Sequence, residues 1–280
     1  MIQIRPMTGA DIALGLRLAQ SAGWNQVEAD WQRLLALQPD GCFVAEVGSM
    51  PVGTTATCVF GAVAWVAMVL VDEPYRGRGI GRALMTQALA YLDNLGVPTV
   101  RLDATALGRL LYEKLGFVEE ARVLRFRGCP RPIAIETAEP VEAARPEHLD
   151  ALIALDRSVT GTDRSQLLHR LYQEDPQAVR VVERGGRVEG FLMTRPGRQA
   201  IQVGPCIASR AVGPALLADA WRRLAGQPVY IDLLTDHAEA RALAAAAGLT
   251  SQRQLVRMRR GAALAEHPEE LWASSGPEKG

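Results

Sequence analysis

The sequence predicts an α/β protein of two domains. A chain of 280 residues exceeds the ~100–200 residues of an average domain. Alternating apolar runs and helical periodicities follow one another through the first 135 or so residues, and segments of the chain recur at an offset of 132 positions. Hydrophobic residues at 48% and charged residues at 22% exclude wholesale disorder. Equal numbers of basic and acidic residues, 31 and 31, remove the positive field of a general nucleic-acid or anionic-membrane binder. The start, Met1-Ile-Gln-Ile-Arg-Pro, has no apolar core of a signal peptide, and the longest apolar run, Ala56 to Val71, falls short of the ~18–20 residues of a membrane helix. A cytoplasmic protein is therefore expected, with neither nucleic acid nor membrane as partner. Cys42, Cys58, Cys129 and Cys206 form no CxxC pair and are expected as reduced, buried thiols. His148, His169, His237 and His267 lack ligand spacing, so no metal is expected.

Taken in order, Ile2 to Arg5 predicts a strand, and Asp11 to Ala22 and Gln26 to Leu37 predict helices, the second with leucines spaced for one face. Phe43 to Val47 and Pro51 to Val59 predict strands joined by the turn Gly48-Ser49-Met50. Ala62 to Val71 predicts a long buried strand. Gly81 to Leu95 predicts a helix with Leu84, Met85, Ala88, Leu89, Leu92 and Leu95 apolar and Gly96 as its C-cap. Thr99 to Ala104 predicts a strand, Ala106 to Leu115 a short helix stopped by Gly116, and Val123 to Arg127 a last strand before the linker Gly128-Cys-Pro-Arg-Pro-Ile.

The offset of 132 lays Ala211-Val-Gly-Pro-Ala-Leu-Leu over Gly79-Ile-Gly-Arg-Ala-Leu-Met and Gly248 over Gly116. Met258-Arg-Arg-Gly then nearly coincides with Arg125-Phe-Arg-Gly. Matches in this order predict a duplicated fold: a first domain over 1–137, a diverged copy over 138–262, and a polar tail over 263–280.

Chemistry concentrates where the long strand meets the following helix, at Arg76-Gly77-Arg78-Gly79-Ile80-Gly81. Glycines admit φ > 0 and close backbone approach, successive N–H groups face one concavity, and the helix N-terminus adds positive potential, a combination suited to pyrophosphate. No Gly-Lys-Ser/Thr follows, which excludes a P-loop, and the glycine spacing excludes the dinucleotide fingerprint.

The run Trp65-Val-Ala-Met-Val-Leu-Val-Asp-Glu-Pro-Tyr-Arg-Gly-Arg-Gly-Ile-Gly-Arg-Ala-Leu, with Leu102-Asp-Ala-Thr and Leu111-Tyr-Glu-Lys-Leu-Gly-Phe, resembles the GNAT N-acetyltransferase superfamily over Arg5 to Arg127. The whole chain looks like the bacterial type in which a complete GNAT domain precedes a degenerate one. The resemblance implies tandem GNAT folds, each a twisted mixed sheet with flanking helices and splayed central strands. It implies acetyl-CoA as cofactor, with CoA as product, lying where the strands at Ala64 to Val71 and Thr99 to Ala104 separate. Backbone at Met68, Val69, Leu70 and Val71 would hold the pantetheine, and Arg76, Gly77, Arg78, Gly79, Ile80, Gly81 and Arg82 the pyrophosphate.

Tyr112 matches the family's general acid; a hydroxyl of pKa ~10 can protonate a thiol of pKa ~8.5 as it leaves, and packing on the short helix is the alternative role. Asp72, Asp103 and Glu46 are candidates to order the amine's deprotonation. Trp24 and Asn25 fall where the family builds its acceptor wall, although Trp24 also suits a core position. At the same offset Arg76, Gly77, Gly79 and Tyr112 become Ala208, Ser209, Ala211 and Ala244, so the second copy is expected to shape the acceptor site instead of binding cofactor. Asp163 and Arg164, in Thr160-Gly-Thr-Asp-Arg-Ser, are its candidate acceptor contacts, with helix capping as the alternative. The expected function is acetyl transfer to the primary amine of a small metabolite by direct attack, with a non-catalytic acyl-CoA sensor as the alternative. A homodimer is compatible with these readings.

Overall fold

The computed structural model describes residues 1–135 and 140–280; the expected domain boundary between 137 and 138 lies outside them. The first copy runs β1 (Ile2–Pro6), α1 (Ile12–Ser21), α2 (Glu28–Leu37), β2 (Cys42–Val47), β3 (Met50–Phe60), β4 (Val63–Val71), α3 (Ile80–Asn94), β5 (Thr99–Ala104), α4 (Ala106–Glu113) and β6 (Val118–Gly128). The second repeats that order: β7 (Glu142–Ala143), α5 (Leu149–Thr160), α6 (Ser165–Glu174), β8 (Val179–Arg184), β9 (Arg187–Arg195), β10 (Ile201–Ala208), α7 (Gly213–Arg223), β11 (Val229–Leu234), α8 (Ala238–Ala246) and β12 (Thr250–Gly261). A further strand, β13 (Leu271–Ala273), follows.

Local chemistry accounts for the elements that frame the site. Ile80, Leu84, Met85, Ala88, Leu89 and Leu92 put a continuous buried stripe on α3. The helix stops where Gly96 takes φ +70° and Val97 donates back to the Leu92 carbonyl at 3.1 Å. Gly48 and Ser49, at φ +57° and +66°, make the two-residue turn between β2 and β3.

All strands join one mixed sheet in the order β1-β2-β3-β4-β5-β12-β6-β11-β10-β9-β8-β7, with β13 on β10. The last strands of the two copies are therefore exchanged. β12 lies antiparallel to β5 of the first copy, and β6 lies antiparallel to β11 of the second. Two buried ion pairs sit at equivalent points of the exchange. Arg257 on β12 donates to both Asp103 oxygens on β5 at 2.9 and 3.0 Å, and Arg125 on β6 donates to both Asp232 oxygens on β11 at 2.8 and 2.7 Å. In each pair the two residues stand opposite one another in the strand register. Each guanidinium also lies over an aromatic ring, Trp65 or Tyr230.

Three cores follow from this sheet. α3 and α4 close one over the first copy, with Met258 of β12 in it; α7 and α8 close one over the second; α1, α2, α5 and α6 share a third that spans both copies. Arg33 on α2 ties this middle layer together through Asp30 and, at 2.5 Å, Glu174 of α6.

Two sequence expectations change here. Residues 263–280 are not a polar tail: Leu271, Trp272, Ala273, Ser274 and Ser275 are buried, and Glu278 and Lys279 are buried with them, Glu278 paired with Arg195 and Lys279 with Glu278 and with Asp30 of the first copy. Cys129 is exposed, whereas Cys42, Cys58 and Cys206 are buried, and burial pushes the Cys42 and Cys58 thiols up to about 12.

Removing one partner of an exchange pair should expose its cost. Asp232→Ala leaves the Arg125 guanidinium buried without a carboxylate, and unfolding in urea should lose about 3–5 kcal/mol, with much of it recovered in Arg125→Met/Asp232→Leu. A loss below about 1 kcal/mol would show that the pair does not hold the exchanged strand.

Candidate functional site

The site begins with a failure of pairing. β4 and β5 are parallel neighbours at only three positions, Val63 with Thr99, Ala64 with Val100 and Trp65 with Arg101, and then separate. On its other side β4 bulges against β3, the register passing from Thr54–Leu70 to Ala56–Ala67. The bulge places Met68 at φ +54°, a conformation seldom taken by a residue with a side chain, and Thr54 holds it through a 2.9 Å hydrogen bond to the Met68 carbonyl. Beyond Trp65 the β5-facing edge of β4 has no strand partner among the described residues.

Two spaces open along this split. An outer groove of about 610 Å3 runs past Val69, Leu70, Val71, Arg76, Gly77, Gly79, Ile80 and Gly81, with Leu107 and Leu111 of α4 opposite. An inner chamber of about 60 Å3 is walled by Gln26, Val66, Ala67, Met68, Leu102, Asp103, Arg253, Leu255, Pro277 and Glu278. Trp24, Val69, Thr105 and Tyr112 line both, so the spaces meet at those four residues.

The outer end of the groove carries the expected anion cradle. Gly77 and Gly79 take φ +74° and +83°, and a Cβ built on either meets nothing within 4 Å, which leaves the concavity clear. Gly79 caps α3, whose first turn closes from Ala83 N–H to the Gly79 carbonyl at 3.0 Å, so the preceding N–H groups lack intrahelical acceptors. Arg76 and Arg78 have no carboxylate partner among the described residues; they donate to the Val71 and Pro74 carbonyls. These features fit a pyrophosphate. The groove is not lined by Arg78, which stacks on Tyr75, or by Arg82, which points to solvent on α3. Gly81 lies inside the helix with only ordinary contacts to Leu111 and Val71, so the strain argument belongs to Gly77 and Gly79.

Tyr112 stands at the junction. Its ring folds back over Gly108 and packs edge-on against Phe117, and its hydroxyl has no hydrogen-bond partner among the described residues. Burial pushes its pKa up to about 12, so the phenol stays protonated through the neutral range. Of the three carboxylates considered from sequence, Asp103 alone lines the chamber, already paired with Arg257. Asp72 is held by Arg17 at 2.7 Å and Glu46 by Arg5 at 2.7 Å, both away from it.

The acceptor contacts expected from sequence are redistributed. Trp24 is a wall of both spaces. Asn25 is not: its amide donates to the Ala200 carbonyl at 2.9 Å and accepts from Gln199 and Ala200 N–H at 2.8 and 3.1 Å, which clamps the copies and uses up its polar atoms. Asp163 caps α6 by accepting from Ser165 N–H at 3.1 Å. Arg164 is neutralised by a bidentate pair with Asp156 at 3.0 and 2.5 Å and also donates to the Gly280 carbonyl. Neither Asp163 nor Arg164 lines the chamber. The second copy contributes Arg253, Leu255, Pro277 and Glu278 instead. No local motif marks these residues, because the exchanged strand and the returning tail bring them there.

The equivalent split in the second copy is filled. β10 and β11 pair in parallel at Ile201–Val203 with Val229–Ile231, and then β13 enters against β10. Trp272 drops onto Gly213 at the start of α7, donates to the Ala208 carbonyl at 3.0 Å, and leaves no room for a Cβ on Gly213. The loop between strand and helix is also shorter, 209–212 against 72–79. The earlier elements of the copies begin 137 residues apart, α1 at 12 and α5 at 149, whereas β6 and β12 begin 132 apart, at 118 and 250. The shortening therefore falls on the phosphate loop, and Arg76 has no counterpart, Ala208 being the last residue of β10. Tyr112 corresponds to Ala244, buried in α8.

Comparison with known proteins matches the two copies separately. The acetyltransferase (GNAT) domain is recognised twice, over residues 38–119 and over 152–273. The uncharacterized N-acetyltransferase YitH of Bacillus subtilis is 26% identical over 226 residues, 79% of this chain and 78% of that protein. The glucosamine 6-phosphate N-acetyltransferase of Trypanosoma brucei brucei is 30% identical over 119 residues, 42% of this chain and 80% of that enzyme. A solved Pyrococcus horikoshii structure superposes with a TM-score of 0.84 at 25% identity, covering 100% of this chain and 96% of that one.

Two measurements check the site's geometry. Gly79→Val imposes αL strain of roughly 1–3 kcal/mol, and calorimetric titration should show CoA affinity falling about 5- to 150-fold in a protein that still melts cooperatively, whereas Gly81→Ala binds as the wild type does. Equal affinity in a folded Gly79→Val protein would remove the loop from the cofactor site. For Tyr112, the ultraviolet difference titration between wild type and Tyr112→Phe should give a phenolate midpoint near 12. Its folded pKa lies above the free value of ~10, so its contribution to stability is intact below ~10 and declines as the pH rises through about 12. A midpoint near ~10 would mean that the phenol is not buried.

Proposed function

The chain belongs to the GNAT acetyltransferase family, as a tandem of two such domains, and we propose that its first copy is an acetyl-CoA-dependent N-acetyltransferase acting on the primary amine of a small metabolite. The meeting of groove and chamber at Tyr112 carries this reading: a long channel with an anion cradle at one end reaches a small, walled space at the other. When bound, acetyl-CoA supplies an activated thioester. The chain supplies the rest. Gly77, Gly79 and the α3 N-terminus face the pyrophosphate, with Arg76 adding charge, and the edge of β4 over Met68 to Val71 that has no β5 partner faces the pantetheine. The Tyr112 hydroxyl, kept neutral by burial, donates the proton taken up by the departing sulfur. Trp24 and Met68 keep bulk water from the junction, and the carboxylate of Asp103 lies in the wall that the amine passes.

A small acceptor is favoured because the chamber is closed by Leu255 of the exchanged strand and by Pro277. The second copy acts as a wall of this site and, with its own split filled by Trp272, takes no cofactor.

Free-thiol release from acetyl-CoA across a panel of amines is the direct test. Release should depend on the amine, and Tyr112→Phe at saturating acetyl-CoA should lower kcat by roughly 10- to 10⁴-fold with CoA affinity kept. Binding of CoA with no amine-dependent release would make the protein a sensor, and an unchanged kcat would make Tyr112 a packing residue.

A further inference from the structure

Arg253 is a half-buried cation without a counter-ion among the described residues. It projects from the exchanged strand β12 into the inner chamber, and its Nε is shut off from solvent with no hydrogen-bond acceptor. The fully buried cations near the chamber are matched: Arg257 by Asp103, Arg125 by Asp232, and Arg195 and Lys279 by Glu278. Arg253 has no carboxylate within ion-pair distance among the described residues. Its register partner across the strands is another arginine, Arg125, which already uses both oxygens of Asp232, while Gln202 donates to one of them at 3.0 Å. Like charges opposed in a ladder repel, and a buried Nε–H without an acceptor costs free energy. The duplicated fold also shows that this position does not require arginine: the residue 132 places earlier, beside the filled split, is Ala121. The charge is thus present in the open cleft and absent from the closed one.

We infer that Arg253 is the anion-binding residue of the acceptor chamber, and that the acceptor is a primary amine carrying a carboxylate or a phosphate group. This rests on the reading of the inner chamber as the acceptor site. The ligand's anion completes the pair that the protein leaves unmade, and its amine is directed to the junction at Val69 and Tyr112. Glu278 is a second charged group in the chamber wall. Its carboxylate is held ionised, well below the usual range, by Lys279 and Arg195, so it repels an anion and favours the ammonium end. Arginine suits this task because its planar fork meets either oxyanion through two parallel donors.

The test uses the full chain saturated with CoA, so that the phosphate positions of the outer groove are filled. Calorimetric titration with inorganic phosphate and, separately, with propionate should find one anion per chain, and the tighter arm identifies the group. Arg253→Gln should weaken that binding about 10- to 150-fold and Arg253→Lys by less, with CoA affinity kept in both and a melting temperature no lower than that of the wild type. In turnover, phosphoethanolamine should exceed ethanolamine, or β-alanine exceed propylamine, by a similar factor in kcat/KM, and Arg253→Gln should bring the favoured amine down to its neutral partner. Absence of anion binding in the wild type, or undiminished binding in a folded Arg253→Gln protein, would overturn the inference. Failure of the wild type to take up CoA would strike the reading of the groove instead, and that titration is done first.

Discussion

The exchange of β6 and β12, fixed by the Arg125–Asp232 and Arg257–Asp103 pairs, is the constraint on which the rest of the molecule depends. Buried ion pairs add little net stability compared with apolar packing, but a broken one is expensive, so they select one register over its neighbours. A slip of β12 by one residue would turn Arg257 away from Asp103 and carry Met258 out of the first copy's core. The exchange also decides what the first copy's cleft contains. β5 borders β12 instead of its own copy's last strand, so Arg253 and Leu255 from the far end of the chain become walls of the inner chamber. The two copies are thereby one structural unit, with a continuous sheet and a shared middle core.

The same backbone device has opposite outcomes in the two copies. A parallel pair that holds for three residues and then separates leaves unpaired edges, and buried backbone groups need partners. In the second copy the chain supplies them itself, through β13, and Trp272 covers the surface beside α7. In the first copy they stay available along a groove that ends at Gly77 and Gly79. The segment that closes one split continues into the other: Trp272 plugs the second copy, and Pro277 and Glu278 narrow the first. Filling of the second split and shaping of the chamber are thus consequences of one returning segment.

Much of this was legible in the sequence, and the rest was not, for identifiable reasons. Order of elements follows from apolar periodicity, and the anion cradle follows from glycines whose left-handed φ only such residues adopt readily; both are local properties, and Gly77, Gly79 and the α3 stripe stand where the pattern puts them. The duplication was visible because Gly116 and Gly248 mark the same turn, although a single offset misplaced Arg76, since an offset cannot show that the phosphate loop itself was shortened. Asn25, Asp163 and Arg164 fall where the resemblance places acceptor contacts, but clamping, capping and ion pairing employ the same residue types. The exchange of strands, the burial of residues 271–280 and the placement of Arg253 arise from pairings more than a hundred residues apart, which leave no periodic trace.

One split is open and the other is filled from within. Calorimetric titration of the full chain with CoA measures it directly. One site per chain is expected, weakened about 5- to 150-fold in Gly79→Val and unchanged in Gly81→Ala. Two sites per chain, or a single site insensitive to Gly79, would contradict the account.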